Sequence, residues 1–259
     1  MNLDEIYTRL SWVKREETAT GSSPKKMGHY TEMFAEKSGS GAPPKKRILV
    51  QGDTGIGKTT FVKKMLVDWS NLDKTKLDEE QKNVLRRFDL VLAVDLKEVS
   101  HCQTFTDVLR NSRLFSRDND KFFDDLNSYV QKNQERVLLV FDGYDEYRTG
   151  SKAKEQYGNR SDSPVFQIFH RTILRDCTVL VTTRSSRADE LRGSADIQAE
   201  FTGFNKLDRK GFMTKMLKSE TEADELWWFL LWRGMADLLK VPLLNLFFCL
   251  LWRDRKSVV

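Results

Sequence analysis

Residues 47–60 read RILVQGDTGIGKTT, and their order decides the fold. Ile48, Leu49 and Val50 form a short apolar, β-branched run, Gly52-x-x-x-x-Gly57-Lys58-Thr59 follows, and Phe61, Val62, Met65, Leu66 and Trp69 then recur at helical spacing. Strand, glycine loop, helix is the context in which this motif means phosphate binding. Gly52, Gly55 and Gly57 let the backbone turn tightly with its N–H groups pointing inward, and the positive end of the next helix faces the same anion. Lys58 then reaches the β- and γ-phosphates, and the Thr59 hydroxyl ligates Mg²⁺. The alternative, an ordinary glycine-rich turn, does not account for the lysine, the hydroxyl and the two flanking periodicities together.

The chain around this loop has 259 residues, room for one large or two small domains. Hydrophobic content of 39% and charged content of 31% are those of a globular protein. The net charge of +5 is modest, and 43 basic residues are interleaved with 38 acids. Only Pro43-Pro44-Lys45-Lys46-Arg47 and the stretch around Arg86-Arg87 approach a patch; both are read as solvated strand flanks, so no nucleic-acid footprint is expected. Cys102, Cys177 and Cys249 are odd in number and far apart, which suggests neither a disulfide framework nor a zinc cluster and points to a reducing compartment. His101 beside Cys102 lacks partners at ligand spacing and is expected in a surface loop. The acidic start Met1-Asn2-Leu3-Asp4-Glu5 is no signal peptide, so a cytoplasmic location is expected. The most apolar segment, Val241 to Trp252, contains Pro242 and Asn245 and is too short to span a bilayer; it is expected to be a buried helix.

In chain order, residues 1–16 carry Leu3, Ile6, Tyr7, Leu10 and Val13 at helix-like or mixed spacing, and residues 17–46, rich in Gly, Ser, Pro and Lys, read as a flexible linker. Only Tyr30 to Phe34 offer anything to bury there. Phe88 to Leu96, Arg136 to Asp142 and Cys177 to Arg184 are near-continuous apolar runs of the kind a parallel strand buried on both faces requires. Ile197 to Phe201 is a weaker strand. Helical patterns lie at Thr106 to Leu109, Phe122 to Val130 and Pro164 to Leu174, and residues 149–163 read as a loop. The alternation predicts an α/β fold, a P-loop NTPase parallel sheet with helices on both faces, over residues 47–203. From Phe204 no strand candidate remains, and Leu207 to Leu217, Leu226 to Trp232 and Met235 to Trp252 predict a small all-helical module over 204–259. Trp227, Trp228 and Trp232 are expected in its core rather than on a partner-covered face.

A nucleoside triphosphate needs a metal-holding carboxylate on a neighbouring strand, and Asp142 at the end of VLLVF fits. A turn-capping aspartate is the alternative. Gly143 and Tyr144 follow where many ATPases keep a water-activating acid, so Asp145, then Glu146, are the candidates for general base, a displacement compatible with slow hydrolysis. Thr182-Thr183-Arg184 emerges at the same carboxyl edge of the sheet; Arg184 either meets the γ-phosphate or pairs with a carboxylate such as Asp145. Asn205-Lys206-Leu207-Asp208 matches the guanine-reading N-K-x-D, but it precedes a helical pattern. Capping by Asn205 explains it better, which favours adenine.

With GDTGIGKTTFVKKMLVDW, LLVFDGYDE, LVTTR, a GF-x-x-x-D-R helix start and Val241-Pro242-Leu243-Leu244 in this order, residues 45–252 resemble the NACHT family of signal-transduction ATPases, including the animal NOD-like receptors. Gly143 with its late acids is specific to that group. The resemblance implies an intracellular, innate-immune-like switch: ADP holds it closed, and exchange for ATP permits ring-like homo- or hetero-oligomerisation. Residue by residue it implies that Gly52, Asp53, Thr54, Gly55, Ile56, Gly57, Lys58, Thr59 and Thr60 hold the phosphates, Asp142 and Thr59 hold Mg²⁺, and Arg184 is a sensor. Pro242 packs against the base, and Tyr7 and Thr8, in a segment similar to the pre-NACHT stretch, fold over adenine. Family members usually continue into a winged helix, a second helical domain and leucine-rich repeats, and often follow a death-fold domain. A fragment or minimal member is therefore expected, with a catalytically silent scaffold or decoy and a GTP-specific enzyme as alternatives.

Overall fold

In the computed structural model, which describes residues 7–8, 10–18, 21–35, 45–115, 120–147 and 163–257, the apolar runs become the centre of one 7-stranded sheet. Its strands are β1 (Ser11–Thr18), β2 (Gly21–Lys26), β3 (Arg47–Gln51), β4 (Leu90–Asp95), β5 (Val137–Asp142), β6 (Thr178–Thr183) and β7 (Ile197–Gly203), in the order β2-β1-β7-β3-β6-β5-β4. From β7 to β4 every pairing is parallel. Alternate residues of β3 feed opposite faces: Ile48 and Val50 enter one apolar cluster and Leu49 the other. The first cluster is closed by α1 (Lys58–Ser70) and α2 (Glu79–Arg86) through Phe61, Val62, Met65 and Leu85. The second is closed by α3 (Phe105–Asn111), α4 (Asp120–Lys132) and α5 (Pro164–Phe169). Helices thus cover both faces, as the strand pattern predicts.

The amino-terminal side departs from expectation. Instead of a helix-like segment running into a linker, residues 11–18 and 21–26 are strands, β1 pairing antiparallel with both β2 and β7. Ladder hydrogen bonds satisfy the backbone whatever the side chains are, so a Gly/Ser/Lys-rich strand at a sheet edge leaves no apolar signal. Burial falls to a few anchors. Trp12 packs edge-on to Phe61 at 4.7 Å and against Phe201 at 4.0 Å, and Met27, Tyr30, Met33 and Phe34 are buried beside α1 and α2. The remainder of the expected linker, 19–20 and 36–44, and all but residue 163 of the loop predicted over 149–163, lie outside the described residues.

A polar contact fixes this segment to the helix after the glycine loop. Tyr30, in a short 3-10 turn, donates its hydroxyl to Asp68 Oδ2 at 3.0 Å, and the buried Asp68 also accepts from Lys64 at 2.5 Å and Thr75 at 2.7 Å. Burial, and next the Asp68 carboxylate, push the Tyr30 hydroxyl far above the ordinary phenol value, so it stays a donor. Tyr30→Phe is expected to lower the unfolding free energy by about 1–2 kcal/mol. The measurement is a lowered urea midpoint at unchanged m-value; an unmoved midpoint would show the bond to be idle.

Arg47 corrects a second expectation. Rather than flanking the strand in solvent, its side chain is fully buried, and its guanidinium donates to the carbonyls of Ile168, Phe169, Leu174, Arg175 and Cys177 at 2.6–3.2 Å. Those carbonyls end α5 and line the turn that follows. The helix predicted over Pro164 to Leu174 accordingly stops at Phe169, with Arg171 and Leu174 in the left-handed region at φ 61° and 46°.

α6 (Asp189–Arg192) leads into β7, and beyond β7 come α7 (Lys206–Leu217), α8 (Glu220–Trp232) and α9 (Pro242–Ser257). Asn205 is the N-cap of α7, its Oδ1 accepting from Leu207 and Asp208 N–H at 2.9 and 3.0 Å. Met213, Ala223, Leu226, Leu230, Leu239 and Cys249 form a separate small core. That core is too thin to bury its helices on all sides. Trp228 and Trp232 are 64% and 80% exposed, not in the core, and of the three clustered tryptophans Trp227 alone packs against it. The helix expected to be buried is likewise two-faced: Asn245 and Cys249 are inside, while Leu243, Phe247 and Leu251 are exposed. Among the described residues no helix is long and apolar enough to cross a membrane. His101 lies exposed in a turn, and the three cysteines are free and buried.

Candidate functional site

A cavity of about 390 Å³ opens at the carboxyl ends of β3, β5 and β6, where parallel strands deliver their loops. Its floor is the glycine loop. Gly55 and Gly57 have φ of 74° and 103°, which non-glycine residues rarely adopt. A Cβ on Gly55 would stand 2.9 Å from Leu243 Cβ, so the loop also needs glycine for space. α1 starts at Lys58, presenting its N–H groups to the cavity. Lys58 Nζ donates to the Gly52 and Asp53 carbonyls at 2.6 and 3.2 Å, holding the loop in a ring. Burial lowers the Lys58 pKa, opposed chiefly by the Asp145 carboxylate.

Two acids meet this floor from the end of β5. Asp142 accepts from the Thr182 hydroxyl at 2.5 Å, and Gly143, with φ 83°, turns the chain so that its N–H donates to Thr182 Oγ1 at 2.9 Å. The nearly buried Asp145 carboxylate is paired with Arg184, whose Nε lies 2.5 Å from Oδ2 and whose backbone N–H donates to Oδ1 at 3.1 Å. Of the two arrangements open for Arg184, the carboxylate pair is the one formed. Glu146 lines the cavity and is exposed.

The rest of the lining is largely apolar. Leu10, Phe204, Phe212, Pro242 and Leu246 form it, with Tyr7 and Thr8 alongside. The strap at residues 7, 8 and 10 is pinned twice: Leu10 is buried against Gly57, and Lys215 from α7 donates to the Tyr7 carbonyl at 2.8 Å and to Thr8 Oγ1 at 3.2 Å. Pro242 is the first residue of α9, where its missing N–H costs nothing. The next N–H, from Leu243, donates to Gly55 O at 3.2 Å, tying the helical part directly to the glycine loop.

Of the residues expected from sequence, Tyr7, Thr8, Asp53, Thr54, Gly55, Gly57, Lys58, Thr59, Thr60, Asp142, Asp145, Glu146, Arg184 and Pro242 line this one cavity. Gly52 and Ile56 stand behind it, Ile56 buried in the core. Sequence reasoning missed Phe204, Phe212 and Leu246 as lining, because apolar residues at helical spacing look the same whether they face a core or a cavity. It also missed the contacts of Thr182 and Lys215, which belong to strand and helix neighbours far away in sequence.

A cation would find the Thr59 hydroxyl and Asp142 carboxylate in the same cavity. Among the described residues no group of three or more His, Cys, Asp or Glu is placed to hold a metal ion. Few protein ligands, all hard oxygens, suit Mg²⁺ arriving with phosphates and water rather than a resident transition metal.

A family model described as NACHT domain matches residues 46–220. The chain is 25% identical over 200 residues to the NACHT, LRR and PYD domains-containing protein 1 homolog of Danio rerio, covering 73% of this chain and 14% of that protein. It is 25% identical over 254 residues to the NACHT, LRR and PYD domains-containing protein 3 of Homo sapiens, covering 86% and 22%. The chain therefore spans less than a quarter of the length of these relatives. Among solved structures, the Thermotoga maritima RuvB Holliday junction branch migration motor aligns at 11% identity and a TM-score of 0.34, over 81% of this chain and 61% of that one. That likeness is too distant to bear on the site.

Proposed function

The chain belongs to the NACHT domain family, and on that premise we propose that it binds ATP and ADP with Mg²⁺ and works as a nucleotide-dependent switch that hydrolyses slowly. The observation carrying this reading is the polarity of one cavity. Its lining joins the polar Lys58, Thr59 and Asp142 to the apolar Leu10, Phe204, Phe212 and Leu246, a combination that suits a triphosphate with a flat apolar base. Adenine suits it better than guanine: the Asn205 side chain is spent on capping α7, and neither it nor Asp208 lines the cavity. Pro242 and the strap at Tyr7 and Thr8 are assigned to the base, and Arg184 to sensing.

Slow turnover is supported by Asp145. With both oxygens engaged by Arg184, it serves as a base only after that pair opens, which leaves the exposed Glu146 as the other acid in reach. The same pair favours a second reading, a nucleotide-holding scaffold without turnover. Oligomerisation through the module and a cytoplasmic site of action complete the proposal, the latter supported by three free buried cysteines.

Displacement of a fluorescent ADP analogue, with Mg²⁺ and with EDTA, tests it. ATP and ADP are expected to compete, and GTP at least about tenfold less well, as for loss of one base-edge hydrogen bond. Equal competition by GTP would remove adenine specificity, and no binding of the analogue would remove the whole reading.

A further inference from the structure

We propose that Thr182 is a positioning residue for the metal-binding carboxylate, setting how tightly the nucleotide complex holds Mg²⁺ and not how tightly it holds nucleotide. The inference rests on the reading of Asp142 as the Mg²⁺ ligand. Thr182 is fully buried at the end of β6. Its hydroxyl stands between two groups of β5 and the turn after it, 2.5 Å from Asp142 Oδ1 and 2.9 Å from the Gly143 nitrogen.

The proton count fixes the direction of both bonds. A backbone N–H only donates, so Gly143 occupies a lone pair of the hydroxyl; the single hydroxyl proton is left for Asp142. Asp142 Oδ1 is thereby turned towards β6, and its second oxygen is the one left for a cation in the cavity that Asp142 lines. The Thr182 carbonyl also accepts from the Tyr144 N–H at 2.9 Å, so the turn carrying both acids is hung from one residue.

The contrast with Asp145 gives this arrangement its meaning. Two residues along β6 and its exit, Arg184 meets Asp145 with a full positive charge, which neutralises that carboxylate and would compete with a metal. Thr182 meets Asp142 with a neutral donor, which orients the carboxylate and leaves its charge for a cation. One strand end thus treats two neighbouring acids oppositely, silencing one and aiming the other. A threonine present only to cap a turn would need the Gly143 bond alone.

The test measures binding of a fluorescent ADP analogue during Mg²⁺ titration and separately in EDTA. Thr182→Val keeps the shape and removes the hydroxyl. It is expected to raise the Mg²⁺ needed for half-maximal effect by about tenfold, in the range of outer-shell ligand losses, with EDTA affinity within about twofold of wild type. Thr182→Ser is expected to restore the wild-type Mg²⁺ dependence. An unchanged Mg²⁺ requirement in the valine variant overturns the proposal, as does equal weakening with and without metal, the mark of a merely structural role. Should the valine chain fail to fold, Thr182→Cys keeps the size with a weaker donor; wild-type Mg²⁺ dependence there overturns the proposal, and an intermediate one supports it. A wild-type protein that binds the analogue with no response to Mg²⁺ refutes the reading of Asp142 itself, before any variant is made.

Discussion

Lys58→Ala is expected to weaken Mg·ATP and ADP binding by at least about 100-fold, from the loss of two charge-assisted hydrogen bonds worth roughly 1.5–3 kcal/mol each. Lys58 Nζ already sits inside the ring of the loop, on the Gly52 and Asp53 carbonyls. A phosphate oxygen at that centre exchanges a neutral acceptor for an anionic one at the same donor, so the gain is specific to the bound state. Stability should move little. Burial depresses the Lys58 pKa, so the charged form is held less favourably folded than unfolded at neutral pH, and truncation removes that cost along with the two carbonyl bonds. Titration calorimetry for affinity and a thermal melt for stability separate the two. Unchanged affinity would mean that the cavity is not a phosphate site; affinity lost together with several degrees of melting temperature would mean that Lys58 is mainly a structural tie.

The parallel centre of the sheet was legible because each of its strands is buried on both faces and so is apolar nearly throughout: Leu90–Asp95, Val137–Asp142 and Thr178–Thr183 each stand out in composition. The glycine loop was legible because its chemistry is local, with Gly52, Gly55, Gly57, Lys58 and Thr59 all within residues 52–59. The strand pair at the edge was not, since β1 and β2 are held by pairing with each other and β7, and backbone pairing leaves no trace in side-chain hydropathy. Trp228 and Trp232 misled for a related reason. Apolar residues all round a helix imply burial, yet the small core of Met213, Leu226, Leu230 and Cys249 reaches only one side of α8 and α9. Thr182 and Arg184 show a third limit: adjacent polar letters at a strand end announce a site edge, but which acid each one meets depends on the register of β5 against β6.

Arg47→Met is expected to cost about 3–5 kcal/mol, the range for removing one partner of a buried charged network. That is a large fraction of the roughly 5–15 kcal/mol that holds a typical domain together. Burial lowers the Arg47 pKa to about 10, so at neutral pH a full cation sits in the interior with backbone carbonyls as its main partners. Those carbonyls belong to the end of α5 and the turn leading into β6; Ile168 and Leu174 also accept the N–H groups of Arg171 and Cys177 at 3.2 and 3.3 Å, whereas Phe169, Arg175 and Cys177 rely on the guanidinium. Methionine fills much of the same volume, so the loss reports unsatisfied carbonyls rather than a cavity. Arg47→Lys separates the two halves of the argument, because an ammonium keeps the charge but lacks the planar fork that reaches carbonyls on both sides; it is expected to recover only part of the loss. Urea unfolding measures both variants, and a loss below about 1 kcal/mol for methionine would place Arg47 among ordinary neutral hydrogen bonds. Because Arg47 opens the strand that runs into the glycine loop, the folded fraction of Arg47→Met should still bind nucleotide with wild-type affinity. Stability at the start of β3 and phosphate affinity at its end are then separable, which is the outcome to expect if the arginine anchors the strand and, of the two, only Lys58 meets the ligand.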